Sequence, residues 1–453
     1  MPSRAAAADT FRLAETGESL HERIADAIES AIAEGRYGPG ERLPPHRALA
    51  RGFDVAIGTV TRAVDLLAQR GLVRGEVGRG TFVLNVHPSS SPGEIVDLST
   101  SAPPRLLEPD VIAAAAARAA RAALDLPTGG YADVTGPRAS REALADWLTR
   151  TRLPADADDL VVCVGAQHAL TLAFADVAER TAAIAAEPAT FPGAIAAARA
   201  LGLTLVPVPV DEHGMVPDAL DAALREKGVG ALYTMPTAHN PLGFDTPPER
   251  LRALLDVCAR HQAPIVEDDV HAHFGGAGSL AYKALAPDLV YYVNGLSKAL
   301  SPALRIGVLV PPAHRRPAIA ERVRAELWAA PPIAVLTATE LLRDGADRRA
   351  LAGLREEASI RARIAASELN LPGLADRPAP HVWIGMPLTK AEWVARRALE
   401  SGVRITPPAT PILDPSLASG IRLCIQAPPE RRALMRALRV VGRLLQEPEG
   451  FVV

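Results

Sequence analysis

Apolar residues Leu20, Ile24, Ile28 and Ile32 fall on one face of a helix that Ser19 can cap, and the turn-forming run Gly35-Arg-Tyr-Gly-Pro-Gly40 stops it. Residues Pro45 to Arg51 and Thr59 to Arg70 predict a second and a third helix, the latter ended by Gly71. Leu72 to Val83 then predicts a hairpin with a glycine-rich tip. Three helices followed by a small β-wing make a winged helix-turn-helix. At Val86-His-Pro-Ser-Ser-Ser-Pro-Gly-Glu94 polar, turn-forming residues replace the periodic apolar ones, which marks a linker.

Beyond the linker the pattern alternates. Short apolar runs at Leu160 to Val164, Ala182 to Ala186, Leu205 to Val210, Ala231 to Met235, Pro264 to Val266 and Val290 to Val293 predict strands. Helical stretches such as Gln167 to Glu179, Pro192 to Leu201 and Pro248 to Gln262 separate them. Strands bracketed by helices imply an α/β domain with a mostly parallel sheet covered on both faces, whose ligands gather at the carboxyl ends of the strands. From about residue 311 the pattern is helical and closes with strands near His381 to Gly385 and Ile421 to Ile425, as expected of a smaller C-terminal α+β subdomain. The expected organisation is a head over residues 1–84, a linker over 85–96 and a second domain over 97–453, its large part about 97–310 and its small part about 311–453.

With 453 residues, 48% of them apolar, the chain is long enough for two or three domains with full cores. A net charge of −3 favours no partner class by itself. Cys163, Cys258 and Cys424 lie far apart without a Cys-x-x-Cys pair, so neither a disulfide framework nor a metal site is expected. Met1 to Leu13 lacks the apolar core of a signal peptide, and arginines 118 and 121 interrupt the Ala-rich run Val111 to Leu124. These features predict a cytoplasmic protein.

The basic residues change the picture most. There are 45 arginines and only four lysines, a bias that strips arginine counts of meaning and makes each lysine conspicuous. Lys298 follows the β-branched and aromatic run Tyr291-Tyr-Val-Asn-Gly-Leu-Ser297. A lysine amine desolvated in a pocket loses its proton readily and can form an imine with an aldehyde, which an arginine cannot. That points to pyridoxal phosphate. Other strand ends carry matching chemistry. Gly165-Ala-Gln167 opens a helix whose free amides can hold a phosphate. Asn240, in His239-Asn-Pro-Leu-Gly243, is placed to hydrogen-bond a phenolic oxygen or simply to form an Asn-Pro turn. Asp268, in Ile265-Val-Glu-Asp268, suits a pyridinium nitrogen, although acidic clusters after strands also ligate metals. Arg305 suits a phosphate.

In this order the motifs resemble the fold type I aminotransferases over residues 97 to 453. The resemblance implies that Lys298 forms the imine with the coenzyme, Phe191 stacks on its ring, Asp268 pairs with its ring nitrogen, and Gly165, Ala166, Gln167, Ser297 and Arg305 hold its phosphate. It implies further that Arg422 grips a substrate or effector carboxylate and that Tyr131 reaches the phosphate of a neighbouring subunit. Two positions depart from that family. Val270 stands where a tyrosine near the Asp usually bonds the phenolic oxygen, and Gly295 replaces a hydroxyl residue three before the lysine. Both departures argue against efficient transamination.

Residues 18 to 83 resemble the GntR winged-helix regulators through Gly38-Pro-Gly-Glu-Arg-Leu-Pro44, Gly58-Thr-Val-Thr-Arg-Ala-Val64 and Gly78-Arg-Gly-Thr-Phe-Val83. Residues 36–84 carry eight arginines against four acids, the excess that phosphate binding requires. Arg47, Thr59, Thr61 and Arg62 are the expected DNA contacts, with Arg79 at the wing tip. Where relatives commonly place Ser-Arg before the recognition helix, this chain has Ala56-Ile57. A GntR-type head joined to an aminotransferase-like domain resembles the MocR subfamily of bacterial regulators. The resemblance implies a homodimeric, operator-binding transcription factor that senses an amine, an amino acid or pyridoxal phosphate itself, and the rival reading is a working aminotransferase with a vestigial head.

Overall fold

The computed structural model describes residues 19–33, 36–37, 41–69, 72–76, 80–83, 95–104, 106–125, 133–226, 228–276 and 278–447. They divide into two compact units, Met1–Ile95 and Val96–Val453. Among the described residues no helix is long and apolar enough to cross a membrane.

In the first unit, helices Leu20–Ala33, His46–Phe53 and Ile57–Gln69 precede an antiparallel hairpin of Val73–Glu76 and Gly80–Val83. Ser19 begins the first helix as expected, by an unexpected route. Its backbone amide and hydroxyl both donate to the Glu22 carboxylate, at 2.9 and 2.7 Å, the reverse half of a capping box. Ile24 and Ile28 meet Leu49, Val60, Val64 and Leu67 in one small core, which leaves the opposite side of the third helix to solvent. Glu41 to Leu43 joins the wing: Leu43 N donates to Thr81 O and Val83 N to Glu41 O, both at 2.9 Å.

The second unit is built on a seven-stranded sheet in the order Val161–Cys163, Gly307–Val310, Val290–Gly295, Ile265–Asp268, Val229–Thr234, Ala183–Ala186, Thr204–Pro207. All neighbours are parallel except Gly307–Val310, which runs antiparallel to both of its partners. That strand was not anticipated from sequence, because it follows the lysine turn directly and its short apolar run reads as a continuation of the turn. The run expected as one strand over Leu205 to Val210 divides into Thr204–Pro207 and Val210–Asp211. Strand side chains alternate between faces. Val162, Tyr292 and Val308 pack under helices Arg138–Thr151 and Pro332–Arg343, whereas Val161, Tyr291, Val293 and Leu309 pack under helix Gly165–Val177.

The smaller core lies elsewhere along the chain than a division at residue 311 implies. Ile319 and Val323 pack into the large-sheet core, and the second core first takes residues from helix Ala346–Glu368, at Ala365. It also takes Leu98, because Val96–Leu98 pairs in parallel with Val403–Ile405. Strands Val382–Gly385 and Gly420–Leu423 form its antiparallel pair. The segment that starts the second unit is thus stitched to Val403–Ile405, and the arm that follows it, Ser99 to Ser101, reaches Arg422 and Lys298.

Candidate functional site

Three neighbouring parallel strands deliver the central groups. Lys298 follows Val290–Gly295, Asp268 ends Ile265–Asp268, and Asn240 follows Val229–Thr234. The Lys298 amine donates to the Ser101 carbonyl. Burial pushes its pKa down to about 8, Arg422 and Arg305 push the same way, and Asp268 opposes them. Asp268 is 2% exposed, accepts from the Tyr233 hydroxyl at 3.1 Å, and is pushed up to about 7 by burial. Such a carboxyl titrates near neutrality, so a cation set against it would draw its proton off.

Its acidic neighbours turn to other partners, as strand alternation requires. Glu267 accepts from the backbone amides of Tyr282 and Lys283 at 3.0 and 2.9 Å, and burial raises it to about 8. Asp269 is held by Arg152 and by the Tyr292 hydroxyl at 2.8 Å. The three acids therefore do not converge, and among the described residues no group of three His, Cys, Asp or Glu is placed to hold a metal ion.

At the far side of Lys298, helix Gly165–Val177 begins on Gly165, whose φ of +75° suits glycine. The antiparallel strand lies directly against this turn. A Cβ on Gly307 would sit 2.3 Å from Gly165 C, and one on Gly165 would sit 3.1 Å from the Arg305 guanidinium. Gly295 is less confined: a Cβ there would lie 3.2 Å from Ile306 O and 3.4 Å from Ala166 N, a tight contact with backbone. Gln167 donates to Gly193 O at 2.9 Å, and a Cβ on Gly193 would meet both Gln167 and the Phe191 ring. Ser297 is half-buried beside Lys298.

Gly307→Ala is expected to destabilise the protein by about 1–3 kcal/mol, because the new methyl meets backbone that cannot rotate away. Thermal unfolding followed by circular dichroism checks this against Gly373→Ala, where a Cβ meets nothing within 4 Å.

Arg422, expected at the site, is 7% exposed and not part of a surface ion pair. It donates to Asn240 Oδ1 at 2.7 Å, Ser99 O at 2.7 Å and Thr406 Oγ1 at 2.8 Å, all neutral acceptors. Arg422 and Lys298 therefore hold the same arm, Arg422 through Ser99 and Lys298 through Ser101. Nothing in the local sequence of Ser99 to Ser101 signals this, since main-chain carbonyls carry no side-chain signature.

Val270 packs against the large core beside helix Gly165–Val177, and the residue shortly after Asp268 that shares a cavity with Lys298 is His271. A two-residue periodicity broken by the turn after the strand displaces the side chain that reaches the cavity. His239 and Glu187 form a second group missed in sequence, fully buried with Nε2 and Oε2 3.3 Å apart. Tyr131 and Arg79 lie outside the described residues. In the first unit Arg47 and Arg62 are exposed, Thr59 is half-buried, and the Thr61 hydroxyl donates to Ile57 O at 3.1 Å.

The donor set fits pyridoxal phosphate: a lysine amine of lowered basicity, a buried carboxyl whose hydroxyl partner leaves it without a counter-ion, and an arginine against a glycine-led helix start. The aminotransferase class I and II family matches residues 93–441, and the bacterial regulatory gntR family matches residues 20–83. YdfD of Bacillus subtilis, named an uncharacterized HTH-type transcriptional regulator, is 24% identical over 85% of this chain and 88% of its own. PdxR of Corynebacterium glutamicum, named an HTH-type pyridoxine biosynthesis transcriptional regulator, is 30% identical over 65% of this chain and 66% of its own. Among solved structures, the alpha-aminoadipate aminotransferase LysN of Thermus thermophilus, complexed with N-(5'-phosphopyridoxyl)-L-leucine, superposes with a TM-score of 0.70 at 26% identity, covering 78% of this chain and 92% of that one.

Proposed function

We propose, on the premise that this chain belongs to the class I and II aminotransferase family and carries a gntR-type regulatory head, that it is a cytoplasmic, homodimeric transcriptional regulator whose pyridoxal phosphate site reports an amine or amino acid to DNA. Head and coenzyme domain together form the MocR architecture, and cofactor dependence and DNA binding follow from the two families. When bound, the coenzyme supplies an aldehyde that captures primary amines and a ring that accepts electrons.

The protein's residues then have definable tasks. Asp268 holds the proton at the ring nitrogen. Gly165, Ala166, Gln167, Ser297 and Arg305 hold the phosphate, with Tyr131 reaching that of the neighbouring subunit. Phe191 flanks the ring and Asn240 bonds the phenolic oxygen. Lys298 would hold the aldehyde through its amine, and Arg422 would bind a carboxylate. In the head, Arg47, Thr59, Thr61, Arg62 and Arg79 meet DNA.

One observation carries the sensing role: Lys298 and Arg422 are both bonded to the arm Ser99 to Ser101, just past the residue where the DNA-binding unit ends. An effector that takes the guanidinium or displaces the amine competes with those carbonyls for the same donors. Such competition gives a ligand different contacts with two states of the arm, which a ligand-biased switch needs.

The test is retardation of promoter fragments from the neighbouring genes by full-length protein, with coenzyme and then with coenzyme plus amines, alongside keto-acid release from amino donors. A shift in DNA affinity of about fivefold or more on adding one amine is expected. Steady keto-acid release with no retarded fragment would instead support the aminotransferase reading.

A further inference from the structure

The cavity beside Lys298 carries more information than the presence of an amine-binding site. Ser101, Pro103, His271, Phe274 and Gln426 line it together with the lysine. His271 and Gln426 are 1% and 2% exposed, and each ends in an atom with no hydrogen-bond partner, Nε2 of the one and Oε1 of the other.

The character of both atoms follows from their bonded halves. His271 Nδ1 lies 3.0 Å from the Ala238 carbonyl, which only accepts, so Nδ1 carries the hydrogen. Burial, with His381 and then Lys298 pushing the same way, holds the ring far below its ordinary pKa and hence neutral, so Nε2 presents a lone pair. Gln426 Nε2 donates to the Ala379 carbonyl at 3.3 Å, which fixes the amide and leaves Oε1 as an acceptor. A third acceptor, the Ser101 carbonyl, is held by Lys298. Lys298 is the only cation of the lining; Arg422, the proposed partner of one carboxylate, is not part of it, so a second carboxylate meets no free cation here.

We propose that this cavity selects an amine whose remote end carries a hydrogen-bond donor, a hydroxyl or a second amino group, and disfavours one ending in a second carboxylate. The inference rests on the proposed coenzyme site and adds the class of effector. Buried acceptors left without donors are costly, and a ligand that supplies the donors recovers that cost. A carboxylate end brings only acceptors to acceptors. The same imbalance that rejects the carboxylate separates a hydroxyl from a methyl group of equal size, since a site built around polar partners rejects the analogue that lacks them.

The experiment titrates coenzyme-loaded full-length protein with ethanolamine, propylamine and L-glutamate, following the visible absorption. Each amine is normalised to its reaction with free pyridoxal phosphate, which removes differences in intrinsic basicity. Ethanolamine is expected to bind more than fivefold better than propylamine and than glutamate. Gln426→Leu and His271→Leu are each expected to bring the ethanolamine-to-propylamine ratio below that of the native chain by at least threefold. A native ratio under fivefold, glutamate binding as well as ethanolamine, or an unchanged ratio in both variants overturns the inference while leaving the coenzyme site standing. Failure of the native protein to develop any visible band overturns both. Should the variants not fold, the native ratios decide.

Discussion

Lys298→Ala is expected to abolish the visible absorption of the protein mixed with pyridoxal phosphate, together with any response of its DNA affinity to amines. No other described lysine can substitute. Lys283 points its amine into three carbonyls, those of Pro287, Val290 and Pro311, at 2.7 to 2.9 Å, and Lys390 lies on a helix of the small core. The variant carries a second, independent signature in the coenzyme-free protein. Lys298 titrates at about 8 when folded, below the ordinary lysine value of roughly 10.4. A lysine whose folded pKa is depressed costs stability when charged, so the native chain gains stability as pH rises between about 8 and about 10, and the variant lacks that gain. Denaturant unfolding at pH 7.5 and pH 10 reads the difference, and spectrophotometry reads the first effect. A visible band retained by Lys298→Ala would place the amine elsewhere.

Arg62→Ala is expected to weaken operator binding by about 1–3 kcal/mol and to relax the sequence preference at one position, whereas Arg47→Ala weakens binding to all sequences and lowers the salt slope by about one. The distinction follows from place. Val60, Ala63, Val64 and Leu67 bury one face of helix Ile57–Gln69, which leaves Arg62 on the outer face that a groove would meet. Arg47 opens helix His46–Phe53, beside the third helix rather than on it. Both are exposed, so neither change should lower the melting temperature, and lost binding can be assigned to the interface. Gel retardation across several salt concentrations, on operator and scrambled fragments, separates the two. Equal losses on both fragments for Arg62→Ala would make it a phosphate contact.

Much of this was legible in the chain because it is local. The order of motifs over Gly165-Ala-Gln167, Asn240, Asp268 and Lys298 marks successive strand ends, and in a parallel sheet successive strand ends fall at one edge. The third helix reads from Thr59 and begins at Ile57, a shift of two residues that leaves its buried face unchanged. The extra strand Gly307–Val310 was hidden because its apolar run is no different from that of a turn leading into a helix.

What the sequence by itself determined is therefore the two-part architecture and which amine, carboxyl and arginines are the candidates for the proposed site. These follow from periodicity and motif order within spans of a few residues. Tertiary structure alone decided what those groups hold and what faces them. The bond from Lys298 to Ser101 joins residues 197 apart, and the bond from Arg422 to Ser99 joins residues 323 apart. It also placed His271 rather than Val270 in the cavity with the lysine and set Gln426 beside it with an open acceptor. Contacts across such separations exist only after the chain has closed, so no local pattern encodes them.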